Sequence, residues 1–182
     1  MGDVAGVAGA EAVIEPPGDQ LVVGAEEPAR GPADAPVVIV PVGSIGQHGP
    51  HCPMDVDISA PFHMAAEVAR RVEAFPVIVA PPVWSGFTHY NMGFAGTISL
   101  RLETFQSLIA DICRSIHANG FHRIITVNGH GGNAAPCRAV SWQLAEEDIF
   151  TLSFNWWDMV EAELREWSAT DRKSTRLNSS HW

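Results

Sequence analysis

Val37-Val38-Ile39-Val40-Pro41 is apolar at every position and leads almost directly into the polar, glycine-rich stretch from Gly43 to Asp57. A short apolar run without alternation reads as a strand buried on both faces, which demands helices on each side of the sheet. The stretch after it gathers His48, His51, Asp55 and Asp57 among three glycines and two prolines. Imidazole and carboxylate groups therefore stand where a central strand ends, the edge at which open α/β sheets carry their chemistry. On a loop fixed by glycine and proline, such groups are the ingredients of a metal site.

The chain beyond repeats the pattern. Phe62, Ala65, Ala66, Val68, Ala69 and Val72 fall on one helical stripe, with Ser59 as candidate cap and Pro61 in the first turn. Val77 to Ala80 is a second strand, stopped by Pro81-Pro82. A long loop follows from Trp84 to Gly96, rich in aromatics, and then a short extended segment, Thr97 to Leu100. Leu102 to Ala118 carries the clearest helical period, closed by Asn119-Gly120. Arg123 to Val127 predicts a third strand, Ala134 to Glu147 a helix, Phe150 to Phe154 a fourth strand, and Met159 to Trp167 a last helix. Strands alternating with helices mean a mostly parallel sheet covered on both faces.

With 182 residues the chain has room for one domain with a real core. A formal charge of −10 weighs against nucleic acid and anionic membrane as partners. No basic-then-apolar leader opens the sequence, and its three cysteines lack CxxC spacing, so a cytoplasmic, reducing setting is expected. Residues 1–36, rich in Ala, Gly, Pro and Glu, read as a loosely attached leader. Residues 1–170 contain no lysine; Lys173 lies in a polar tail, 171–182, that breaks this composition and resembles the translation of a sequencing-library adapter. We expect that tail not to be native, and the native chain to continue beyond Thr170.

Two strand ends carry polar clusters, His48 to Asp57 and Asn128-Gly129-His130-Gly131-Gly132-Asn133. In a parallel sheet both ends lie on one edge, so His48, Asp57 and His130 can meet as three candidate ligands. Two imidazoles supply neutral nitrogens, and a carboxylate can bridge two divalent ions. Taken alone, the second cluster is equally a plain turn or a phosphate-cradling nest, although neither motif contains Lys or Arg. His63, His117 and His122 read as structural, and Asp55 as a loop-bracing carboxylate.

The combination is more specific than its parts. Val42-Gly43-Ser44 before Gln47-His48-Gly49-Pro50-His51, then Pro53 and Asp57, then Phe94-Ala95-Gly96-Thr97, then Asn128 to Asn133, resembles the creatininase (creatinine amidohydrolase) family over about residues 37–160. The resemblance implies a three-layer α/β/α sandwich with a mostly parallel sheet, here C-terminally truncated. It implies two divalent metals per site, zinc and/or manganese, hydrolysis of an amide-type C–N bond in a small molecule or peptide, and a homo-oligomer. By position, His48 becomes a ligand of one metal, His130 of the other, and Asp57 the carboxylate between them. Thr88, Gly131 and Trp157 become substrate-facing residues. Where the family's usual motif has a ligand glutamate this chain has Gly46, which weakens one metal site. A further family carboxylate and a catalytic histidine are expected downstream of Thr170. The alternative reading is a non-catalytic binding or scaffold domain that lost the glutamate at Gly46.

Overall fold

The computed structural model describes residues 35–160, 162 and 163. Apart from Ala35 and Pro36, the leader expected over 1–36 lies outside the described residues, as does the tail 171–182. The elements are β1 (Val37–Val42), α1 (Val56–Arg71), β2 (Val77–Val79), α2 (Leu102–Ala118), β3 (Arg123–Asn128), α3 (Ala134–Ala145) and β4 (Thr151–Asn155). All four strands are parallel, in the order β2-β1-β3-β4. The register sets Val37 beside Arg123 and Val42 beside Asn128, so β1 and β3 end side by side.

Alternation along β1 sorts the two faces. Val38, Val40 and Val42 pack with Phe105, Ile109 and Cys113 of α2 and Cys137, Val140 and Leu144 of α3. Val37 and Ile39 pack on the other face with Ala65 of α1, Val127 of β3 and the partly buried Phe75. The three-layer α/β/α sandwich is thus present, with α1 on one side and α2 and α3 on the other. Phe105 is fully buried, and burying a ring of that kind contributes about 1.5–3 kcal/mol. Because β1 feeds α1 on one face and β3 feeds α3 on the opposite face, the chain parts between β1 and β3. That parting is the topological switch point, where such sheets bind ligands.

Some boundaries differ from the sequence reading. Helix α1 begins at Val56 with Asp55 at its cap position, four residues before the candidate cap Ser59. Ser59 Oγ instead lies inside the first turn, donating back to the Asp55 carbonyl at 3.1 Å. Pro61 sits inside the helix rather than at its start. Lacking an N–H, it leaves the Asp57 carbonyl without its helical partner. Of the helix expected over Met159 to Trp167, Met159 and Val160 belong instead to a 3₁₀ turn, Trp156–Val160, and the part beyond Glu163 lies outside the described residues. In the long loop a 3₁₀ turn, His89–Asn91, interrupts the coil, and Ile98 pairs with Ile45.

Candidate active site

Asp57 lies in the first turn of α1, 7 % exposed, where the positive end of the helix dipole favours a carboxylate. Its backbone carbonyl occupies the space that side chains at Gly43 and Gly129 would need: a Cβ there would come within 2.6 and 2.0 Å of that oxygen. Two glycines, one at each neighbouring strand end, therefore let α1 enter between β1 and β3. Neither has a positive φ; the described glycines that do are Gly49, Gly96 and Gly120. These two glycines serve the close approach of α1.

The carboxylate of Asp57 is shared. Oδ2 lies 2.7 Å from His130 Nδ1, and Oδ1 lies 3.0 Å from His48 Nε2. The two imidazoles come from different strand ends and meet on one carboxylate. Burial pushes the Asp57 pKa up, but the contacts with His130 and His48 outweigh it and hold the group below its usual value. His48 is raised, chiefly through its hydrogen bond with Asp57, against the opposing effect of burial.

The proton count at His48 is informative. Its Nδ1 faces the Gly46 carbonyl at 3.2 Å, and its Nε2 faces the Asp57 carboxylate. Both partners are acceptors, and a neutral imidazole has one N–H. The second contact calls for an added proton or another cation. His130 makes no such demand: its Nδ1–H can donate to Asp57 while its Nε2 accepts from the Tyr90 hydroxyl at 3.0 Å. The Tyr90 pKa is raised by burial and by the negative charge of Asp57.

Asparagines hold this row in place. Asn128 Oδ1 accepts from the His130 N–H at 3.0 Å, and its Nδ2 donates to the His130 carbonyl at 2.7 Å. The same Nδ2 reaches Asn155 Oδ1 at the end of β4, and Asn155 Nδ2 donates to Asp158. Asn133 joins three segments: Oδ1 accepts from Phe87 N–H at 2.8 Å, and Nδ2 donates to the Gly43 carbonyl at 2.9 Å. Asn128 and Asn133 are both fully buried. From sequence alone they read only as the ends of a turn. Their spacing around His130 was the available signal, and Asn155, at the end of a neighbouring strand, was legible by the same edge rule.

A pocket of about 700 Å³ opens above this row, lined by His48, Asp57, Tyr90, Asn91, His130 and Trp157 among others. Gly131 also lines it. Thr88 does not belong to the wall. It is fully buried, and its Oγ1 accepts from Asn91 Nδ2 at 2.9 Å, so the expected substrate-facing role is corrected to one of holding Asn91. His63, His117 and His122 stay off the pocket; the latter two contact each other at 3.2 Å.

Comparison with known proteins decides the family. A family model described as creatinine amidohydrolase matches residues 25–181. The chain belongs to the creatininase family. A mycofactocin precursor peptide peptidase of Mycolicibacterium smegmatis is 41 % identical over 54 % of this chain and 40 % of its own length. The creatinine amidohydrolase of Pseudomonas putida is 30 % identical over 75 % of this chain and 56 % of its own. A solved manganese creatininase superposes with a TM-score of 0.59 at 28 % identity, covering 67 % of this chain and 51 % of that one. A Zn–Zn-type creatininase superposes equally well, at 29 % identity over 68 % of this chain and 52 % of that one. The chain spans about half the length of the curated relatives it matches.

The donor types in this creatininase-family site suit divalent metal, and their layout is a row with the carboxylate in the middle. Among the described residues no three acid, thiol or imidazole groups surround a single ion position. A pair of ions sharing Asp57 would each take one imidazole and one carboxylate oxygen, short of the three protein ligands usual for a catalytic metal. The unmatched acceptors around His48 are the observation that fits a cation there.

Proposed function

We propose that this protein hydrolyses an amide-type C–N bond with divalent metal, zinc and/or manganese, held by His48, Asp57 and His130. One observation carries the reading: Asp57 offers a separate oxygen to each of two imidazoles, and one of those imidazoles, His48, is flanked by acceptors alone. Family membership and the amide- and peptide-cleaving names of the relatives support it. A divalent metal when bound polarises a carbonyl and activates water for attack at neutral pH. The chain's own residues do the rest. Asn128 fixes the backbone of His130, and Asp57 and the Tyr90 hydroxyl hold its ring from either side. Trp156 and Trp157, ring centroids 6.1 Å apart, wall the pocket with apolar surface that excludes water from one side of a bound amide.

The substrate is a small-molecule or peptide amide. The working form is a homo-oligomer whose remaining catalytic groups lie outside the residues described. A cytoplasmic setting fits the three unpaired thiols of Cys52, Cys113 and Cys137; no helix among the described residues is long and apolar enough to cross a membrane. A second reading, a binding or scaffold domain without catalysis, draws on the absence of any side-chain donor at Gly46.

The test is stabilisation by metal. Adding Mn²⁺ or Zn²⁺ to chelator-treated protein is expected to raise its melting temperature, EDTA to reverse the rise, and Asp57→Asn to abolish it. Wild-type protein that melts at the same temperature with and without either metal refutes the assignment. If metal stabilises but no creatinine-like or peptide amide is cleaved, the scaffold reading takes over.

A further inference from the structure

Tyr90 is the only tyrosine of the chain, and it stands at the second nitrogen of His130. Its Oη lies 3.0 Å from Nε2, and its ring lies nearly parallel to the imidazole, 12° between planes with centroids 6.0 Å apart. Gly132 leaves room for this contact: a Cβ there would come within 2.9 Å of His130 Nε2 and 3.0 Å of Tyr90 Oη. Tyr90 is half exposed, yet the turn that bears it, His89–Asn91, is tied down. Just before it the Phe87 N–H donates to Asn133 and the Thr88 N–H to Ser99 Oγ; within it Asn91 Nδ2 donates back to Thr88. Asn133 belongs to the same turn as His130, so phenol and imidazole are carried on joined pieces of chain.

The two nitrogens of His130 face unlike partners. The Asp57 carboxylate only accepts, so in the metal-free protein Nδ1 carries the ring proton and Nε2 accepts from Tyr90. An ion shared by Asp57 and His130 has to take Nδ1, the nitrogen on the Asp57 side. A neutral ring then carries its proton on Nε2. The partner at Nε2 must therefore donate in one state and accept in the other, and a hydroxyl does both from one atom. Resting on the metal reading above, we infer that Tyr90 is a positioning residue for His130, whose hydroxyl donates to Nε2 in the metal-free protein and accepts from Nε2 when divalent metal is bound. The proton given up by Nδ1 and the one gained by Nε2 exchange with water, and the ring stays neutral throughout. A cation on the ring polarises the Nε2–H, so the second bond is the stronger and Tyr90 favours the loaded site.

The experiment titrates zinc, which is diamagnetic, into chelator-treated full chain and counts the binding that Asp57→Asn removes. Calorimetry compares wild type with Tyr90→Phe, which keeps the ring and loses the hydroxyl. The variant is expected to bind zinc about three- to tenfold more weakly, with far-UV circular dichroism unchanged. NMR of ¹⁵N-histidine-labelled wild type, with the His130 signals identified by their loss in His130→Gln, is expected to show the ring proton on Nδ1 before zinc and on Nε2 after it. A role in packing alone would be kept by phenylalanine and would move neither readout. Tyr90→Phe that binds zinc within about twofold of wild type, or more tightly, overturns the inference and leaves the hydrolase reading standing. So does a His130 proton that stays on Nδ1 with zinc bound. No zinc binding by wild type overturns both.

Discussion

Adding one carbon at Gly129 tests how the site is assembled. A Cβ there would lie 2.0 Å from the Asp57 carbonyl oxygen and 2.7 and 2.8 Å from carbons of the Pro61 ring. Cβ atoms essentially never approach a neighbour within 3.0 Å, so something must shift. Neither neighbour is a flexible tip: one is backbone in the first turn of α1, the other a ring inside the same helix. The turn after β3 and the start of α1 must therefore part by roughly 1 Å, a strain of the kind that costs about 1–3 kcal/mol. The same movement stretches the buried 2.7 Å contact between His130 and Asp57, which adds about 1 kcal/mol. Gly129→Ala is thus expected to lose about 3 kcal/mol in all, or roughly 6–12 °C in melting temperature for a chain of this size. Urea unfolding and thermal melts of the full chain measure it. Gly46→Ala is the control, since its Cβ would meet only an amide nitrogen at 3.8 Å, and it should stay within about 0.5 kcal/mol of wild type. Gly129→Ala melting within about 1 °C of wild type would refute the claim that the turn after β3 and the start of α1 close on this point.

Removing the amide of Asn133 strands the Phe87 N–H and the Gly43 carbonyl in a buried position; Asn133→Ala should lose about 2–5 kcal/mol in urea unfolding and loosen the loop that carries Tyr90 and Asn91. In metal-free protein His48 is expected to titrate above 6.5, and NMR of its ring protons should show this value fall in Asp57→Asn. The sign follows from linkage. The raised His48 gives stability that is complete below 6.5 and is lost as pH rises through its folded value; the lowered Asp57 gives stability that is complete above 3.8 and is lost as pH falls through its folded value. The pair should therefore stabilise metal-free wild type over Asp57→Asn most between about 3.8 and 6.5, and pH-dependent unfolding that shows no such maximum contradicts it.

The elements most legible in the sequence are those whose period is uninterrupted. Leu102–Ala118 runs as read because Phe105, Ile109 and Cys113 repeat on one buried face. Val37–Val42 is legible because both its faces are covered. The start of α1 is misplaced by a signal that is usually sound, Ser followed by Pro, because Pro61 sits inside this helix and not in its first turn. The meeting of His48, Asp57 and His130 was readable from the rule that parallel strands end on one edge. What sequence did not disclose was contact across loops. Tyr90 and Asn91 lie 40 residues from His130 or in a different loop from Gly46, with no periodicity to tie them together. Thr88 had the opposite fault: a position suited to substrate by resemblance, yet turned inward by Ser99 and Asn91.

Asn128 grips both polar groups of the His130 peptide unit, the N–H and the carbonyl, and is itself moored to the neighbouring strand end through Asn155. The cost of ordering this histidine is therefore met when the chain folds, and none of it is left to be drawn from an incoming ligand's binding energy. Residues 128 and 130 consequently behave as a single unit, in which a change to the asparagine, which does not itself line the pocket, would be felt as a fault in the ring.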